Sequence, residues 1–221
     1  MIYKESKIDE KDTMERILDA AESLFAERGI KETSIREVTK IAGTNLASVN
    51  YHFGSKEGLI RETISRRLKP INKERLRLLD ELETKAGGSP PPVESILYAL
   101  FSPAIEFCLS HPDFMRLVGR ILFEPDKNLQ ADFVSQFGEV IVRFKAALGR
   151  SLPDLPEKEL LWRMHFLAGA MIHTYTNHTV LEAFSGGLCK IADDKEVLDR
   201  LINFCAAGLR AALRIELDGR P

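Results

Sequence analysis

The 221-residue sequence predicts an all-α fold of about nine helices, with a small three-helix unit at the N-terminus and a larger helical domain behind it. Three observations lead there. Apolar residues recur at helical spacing along most of the chain, and no stretch keeps the two-residue alternation of a half-buried strand. Turn residues punctuate the periodic stretches at Gly29, Gly43, Ala86 to Pro92 (A-G-G-S-P-P-P), His111-Pro112, Glu124-Pro125, Pro153 to Pro156 and Ser185-Gly186-Gly187. An apolar content of 44% beside 29% charged residues is enough to bury a sizeable core in an ordinary globular chain.

The first helix is expected from Thr13 to Glu27. Asp12 and Glu15 form a capping box, and Ile17, Leu18, Ala21, Leu24 and Phe25 share one face before Gly29 stops it. Ser34 and Glu37 form a second capping box and open a short helix, Ile35 to Ile41, that ends at Gly43. Asn45 caps a third, Leu46 to Tyr51. Ser55 caps a long fourth helix that starts at Lys56 and that Pro70 should kink. Five more are expected at Val93–Ser110, Phe114–Phe123, Leu129–Leu148, Glu157–Phe184 and Lys195–Leu213. The domain boundary implied is 1–55 against 56–221.

Several classes fall away. No run approaches the ~20 apolar residues of a membrane span. Met1 to Asp12 is polar and mixed in charge, without the apolar core of a signal peptide, so a cytoplasmic location is expected. Cys108, Cys189 and Cys205 show no disulfide or metal spacing. His165, His173 and His178 lack a metal-ligand pairing, so neither metal nor cofactor is expected. Nucleophile-elbow, phosphate-loop, dinucleotide and zinc patterns are missing, which leaves an enzyme only as a helical protein without a recognised catalytic motif.

The net charge of −2 conceals a strong segregation. Met1 to Ile30 carries −3, Lys31 to Arg77 carries +6, and Leu78 to Pro221 carries −5. Phosphate binding needs a local basic surface rather than a basic protein. Within the basic segment, Ser34 to Phe53 sets two short helices around Gly43. Ile35, Val38, Ile41, Leu46 and Val49 are expected inward, with Ser48, Asn50, Tyr51 and His52 outward or at the helix end. This is the layout of a helix-turn-helix, in which one helix braces across the DNA backbone and the next enters the major groove.

Three stretches, A-E-S-L-F-A-E-R-G-I-K-E-T-S-I-R-E-V at Ala21 to Val38, I-A-G from Ile41, and Y-H-F-G-S-K at Tyr51 to Lys56, resemble the TetR family of transcriptional regulators. The resemblance covers roughly Arg16 to Ile60 and implies roles for matching positions. Thr33 and Ser34 would meet phosphate at the start of the second helix. Ser48, Tyr51, His52 and Lys56 would hold the backbone around the recognition helix. Thr44, Asn45, Leu46, Ala47 and Asn50 would approach bases. Leu46 stands where the family often has Lys or Arg, and Asn50 where it often has Tyr. Leu46 suits a thymine methyl and Asn50 an adenine edge.

Leu160 to Ile172 (L-L-W-R-M-H-F-L-A-G-A-M-I) is apolar nearly all round, and such a helix needs cover on every side. The last helix is rich in small residues between Leu201 and Ala212. In TetR-like proteins the final two long helices form a homodimer interface. A narrower resemblance joins N-L-A-S-V-N-Y-H-F-G-S-K to E-L-L-W-R-M-H-F-L-A-G-A-M downstream, and is to the PsrA-like, fatty-acid-responsive subgroup. It implies a repressor that binds a palindromic DNA operator and is released by a small apolar effector, a long-chain fatty acid or acyl-CoA. An acyl chain wants an apolar slot with a cation at one end. Candidates are Phe101, Phe107, Leu117, Phe123, Phe144, Phe166 and Met171 for the slot, and Arg116, Arg120 and Arg163 for the cation. The alternative is a multidrug-responsive repressor of the same family, whose pocket would pair aromatic with acidic side chains.

Overall fold

A computed structural model describes residues 2–189 and 194–213; the side chains of Cys108 and His178, both considered above, lie outside the described set. Among the described residues every regular element is a helix: α1 (Ile2–Arg28), α2 (Ile35–Ala42), α3 (Leu46–Phe53), α4 (Lys56–Ala86), α5 (Val93–Ser110), α6 (Pro112–Phe123), α7 (Lys127–Ser135), α8 (Gly138–Ser151), α9 (Glu157–Thr176), α10 (His178–Phe184) and α11 (Asp194–Arg210).

The all-α expectation holds, with eleven helices in place of about nine. No capping box starts α1 at Asp12. With neither glycine nor proline before Gly29, the helix extends back to Ile2, and Asp12 instead pairs with Arg16 at 3.2 Å. The Ser34–Glu37 box forms as expected: the Glu37 amide donates to Ser34 Oγ and the Ser34 amide donates to Glu37 Oε2. Gly43 closes α2 in the left-handed conformation at φ 64°. Asn45 Oδ1 accepts the Ser48 amide at 3.0 Å and opens α3. α4 continues through Pro70, while Leu68 and Ile71 beside it stay buried.

The chain forms two compact units. One unit comprises residues 1–74 and 106–138; the other comprises 75–105 and 139–221. The first is built on the predicted face of α1. Ile17, Leu18, Ala21, Leu24 and Phe25 are buried together with Val38, Val49, Leu59 and Ile64, and with Phe114, Leu117, Val118 and Ile121 of α6. Each of those α6 side chains contributes roughly 1.5–3 kcal/mol by leaving water. α6, which the sequence placed with the effector domain, therefore packs as part of the N-terminal unit.

That division explains the expected helix 129–148. Phe133 is buried in the core of the first unit, whereas Val140 and Phe144 are buried in the second. The chain leaves one core for the other between them, and Gln136 and Phe137 break the helix there. The expected helix 157–184 divides at Asn177, whose side chain donates to the Thr176 hydroxyl at 2.9 Å.

Candidate nucleic-acid interface

Val38 of α2 and Val49 of α3 are fully buried against the first helix's apolar face, which fixes the helix pair. Two expected inward residues point elsewhere: Ile41 is 60% exposed and Leu46 45%. Anchoring α3 through Val49 turns Leu46, Ala47, Asn50 and Tyr51 to solvent, and Tyr51 is 75% exposed. His52 lies half-buried with its ring edge-on to Tyr51, at 5.0 Å between centroids. Phe53 packs onto the core.

The other expected contact positions already have partners. Asn45 caps α3, and Ser48 Oγ donates to the same Asn45 oxygen at 3.3 Å. Ser34 is exposed at the start of α2 and bonded to Glu37. Thr33 is only 1% exposed, and its hydroxyl donates to the Gly29 carbonyl at 2.8 Å, so it braces the α1–α2 turn from within. Thr44 is half-buried in the α2–α3 turn, its amide donating to the Thr39 carbonyl. Lys56 Nζ donates to the Lys31 carbonyl at 3.3 Å and keeps two further protons for an acceptor.

The +6 segment does not act as one basic patch. Arg66 is held by Glu15, Asp19 and Glu22 at 2.9, 2.8 and 2.9 Å, and Arg67 Nε donates to Glu22 at 2.8 Å. Arg61 meets Asp132 and Lys31 meets Glu124. The acidic first helix and the basic fourth helix thus neutralise one another inside the fold. Two cations not among the expected contacts remain on α2: Arg36 and Lys40 are exposed and have no carboxylate partner among the described residues. Their spacing of four residues puts them on one helix face, a signal available in the sequence.

The ten expected effector residues divide between the units. Phe107, Arg116, Leu117, Arg120 and Phe123 belong to the first; Phe101, Phe144, Arg163, Phe166 and Met171 belong to the second. Phe101, Leu117 and Phe144 are buried, whereas Phe123 is 89% exposed and Phe166 62%. Phe107 stacks on His111 at 3.8 Å. Two of the three arginines are engaged by main chain. Arg120 donates to the carbonyls of Ala26 and Glu27 at 2.8 and 2.7 Å. Arg163, 8% exposed, donates to those of Gly208, Leu209 and Ala211 at 3.1, 2.8 and 2.8 Å, and to Glu159. Arg116 is exposed and pairs with Asp113 at 3.2 Å. A groove of about 600 Å³ in the second unit, between α4, α5 and α11, is lined by none of the ten. Leu78, Leu82, Ala99 and Ile202 provide its apolar lining, with Tyr98, Glu81, Glu94, Asp199 and Lys85 among its polar residues.

No helix among the described residues is long and apolar enough to cross a membrane, and no group of His, Cys, Asp or Glu there is placed to hold a metal. A capped helix pair on an apolar brace, presenting the second helix's side chains outward, is the geometry of a helix-turn-helix DNA-binding regulator.

The comparisons agree. Residues 17–63 match the bacterial regulatory proteins of the tetR family, and residues 98–208 match the tetracyclin repressor-like C-terminal domain. The chain belongs to the TetR family of transcriptional regulators. It is 38% identical over 53 residues to the probable HTH-type transcriptional regulator YttP of Bacillus subtilis, which is 24% of this chain and 26% of that one. It is 42% identical over 48 residues to the repressor KstR2 of Rhodococcus jostii, or 22% and 24%. The chain thus spans about a quarter of the length of these two relatives. A longer match, 29% identical over 139 residues, covers 62% of this chain and 58% of the regulator AcrR of Shigella flexneri. Among solved structures, the fatty acid degradation regulator FadR of Bacillus halodurans has a TM-score of 0.62 at 15% identity, covering 90% of this chain and 97% of that one. An Aquifex aeolicus regulator has 0.59 at 23%, covering 87% and 96%. At these identities the structural likeness establishes the fold.

Proposed function

We propose that this chain is a cytoplasmic, homodimeric repressor that binds a palindromic operator through α3 and releases it when a small apolar effector binds. The observation that carries the DNA reading is the outward face of α3, with Leu46, Ala47, Asn50 and Tyr51 exposed around the buried anchor Val49. In this reading residues 1–55 are the reading domain. Asn50 and Leu46 approach base edges, while Ser34, Ser48, Tyr51, His52 and Lys56 hold phosphates. Arg36 and Lys40 add a longer-range attraction to the backbone.

A second copy of the chain is the proposed cover for α9 and α11. Leu161, Trp162 and Phe166 of α9 are 45%, 53% and 62% exposed, and Phe204 of α11 is 72% exposed. Gly169 and Gly208 are exposed in the same two helices, and a Cβ at either meets nothing within 4 Å. A glycine inside a helix costs about 1 kcal/mol relative to alanine, so its presence there suits close approach by a partner helix. The acyl-effector reading is supported by the resemblance of the Glu159 to Met171 segment and by the likeness in fold to FadR, a regulator of fatty acid degradation. A second reading, a cationic effector, rests on the groove, whose lining includes Tyr98 and Asp199, while Glu81 and Glu94 there pair with Arg77 and Arg210.

Selection from genomic fragments, followed by titration of the recovered operator with salt, tests the DNA reading. Each phosphate contact contributes a slope of about 0.9 in log K against log salt. Combined Tyr51→Ala and Lys56→Ala should weaken binding across sequences and flatten that slope. Undiminished affinity in the double variant, or recovery of no fragment by the wild type, would refute it. Long-chain fatty acids, their coenzyme A thioesters and lipophilic cations are then titrated into the operator complex. The class that releases DNA saturably decides between the two effector readings.

A further inference from the structure

Three side chains donate to five main-chain carbonyls at the end of α1 and in the turn that leads to α2. Thr33 Oγ1 donates to Leu24 and Gly29 at 3.3 and 2.8 Å, Arg120 Nε and Nη2 donate to Ala26 and Glu27 at 2.8 and 2.7 Å, and Lys56 Nζ donates to Lys31 at 3.3 Å. The last carbonyls of a helix have no partner inside it, so a side-chain donor there decides how firmly the end is set. Here the donor comes from α6, more than ninety residues on in sequence. Gly29 makes room for it: a Cβ at that position would lie 3.3 Å from Arg120 Nη1, and the backbone there sits at φ 98°. One turn further along, Lys31 pairs with Glu124, and Gln130 Nε2 closes the end of α6 by donating to the Leu122 and Glu124 carbonyls at 3.2 and 2.8 Å.

We infer that Arg120 is a positioning residue for DNA binding: by closing the C-terminus of α1 it fixes the turn that leads to Ser34 and receives Lys56, and it makes α6 part of the reading head. The inference rests on the operator reading above. Arg120 touches no nucleic acid. Without its guanidinium, two carbonyls turn to water, the Gly29 to Ser34 turn gains freedom, and that freedom must be lost again when phosphate is bound.

The test compares full-length wild type, Arg120→Met and Arg120→Lys. Methionine keeps the apolar stem and removes every donor; lysine restores the charge but not the planar fork that serves two carbonyls at once. Operator affinity should fall about 2- to 30-fold in Arg120→Met, the range for couplings carried through packed networks, and by less in Arg120→Lys. The salt slope should stay at the wild-type value because no phosphate contact is lost, whereas Lys56→Met should lower it by about 0.9. In free protein, amide exchange from Gly29 to Ser34 should accelerate while the thermal midpoint holds. Unchanged exchange overturns the inference. So does a lowered salt slope, which would make Arg120 a direct phosphate ligand, or a thermal midpoint that falls in step with affinity, which would make it a general structural residue. A wild-type protein that binds no DNA overturns the operator reading, and the exchange comparison still decides whether Arg120 holds the turn.

Discussion

Removing the Glu22 carboxylate should destabilise the N-terminal unit. Glu22 is 5% exposed and accepts three hydrogen bonds, from Arg66 Nη2 at 2.9 Å and from Arg67 Nε and Nη2 at 2.8 and 3.2 Å. Deleting one member of a buried pair costs about 3–5 kcal/mol, because the surviving charge stays desolvated. Two features reduce that here. The Arg66 and Arg67 side chains retain 13% and 23% exposure, and Arg66 keeps Glu15 and Asp19. Three charge-assisted bonds taken separately, at roughly 1.5–3 kcal/mol each, would overstate the loss, since Arg67 can turn to water. Glu22→Ala should therefore destabilise by about 2–3 kcal/mol, placing it below the full buried-pair range. At about 2–4 °C per kcal/mol for a chain of this length, the midpoint falls by roughly 4–12 °C. Urea unfolding followed by circular dichroism measures the free-energy loss and a thermal scan the midpoint, both at fixed protomer concentration, because dimerisation makes stability concentration-dependent. High salt should recover little of the loss, as buried pairs are weakly screened. A Glu22→Ala variant within about 0.5 kcal/mol of wild type, the span of an ordinary surface change, would refute the reasoning.

Other outcomes follow from single features. Gly208→Leu should fold, since its Cβ meets open space within the chain, yet shift sedimentation toward monomer and redden Trp162 fluorescence; an intact dimer would remove Gly208 from the contact. The Arg210 guanidinium holds the Glu94 carboxyl down at about 2. The pair's contribution is therefore complete above the ordinary carboxylate range and declines progressively from there as pH falls through about 2, so carbon-detected NMR titration should find that midpoint in wild type and an ordinary one in Arg210→Met. Burial pushes the Cys205 thiol up to about 11, so at pH 8 an alkylating reagent followed by peptide mapping should label exposed Cys189 well before Cys205.

What the sequence determined was local. The Ser34–Glu37 box, the Asn45 cap and the left-handed Gly43 are read within four residues of themselves, because capping is chemistry between near neighbours. The apolar face of α1 was legible for the same reason: its 3.6-residue period is written along one segment. Tertiary structure alone decided which charges remain available. Arg66, Arg120 and Arg163 look alike in the sequence, as long cations on helices. Only folding brings Arg66 to three carboxylates of α1, Arg120 to the end of α1, and Arg163 to the end of α11. The division between α7 and α8 has the same origin. Its apolar period continues through Gln136, but Phe133 and Val140 are buried in different cores, and a period records that a side chain is buried without recording against what.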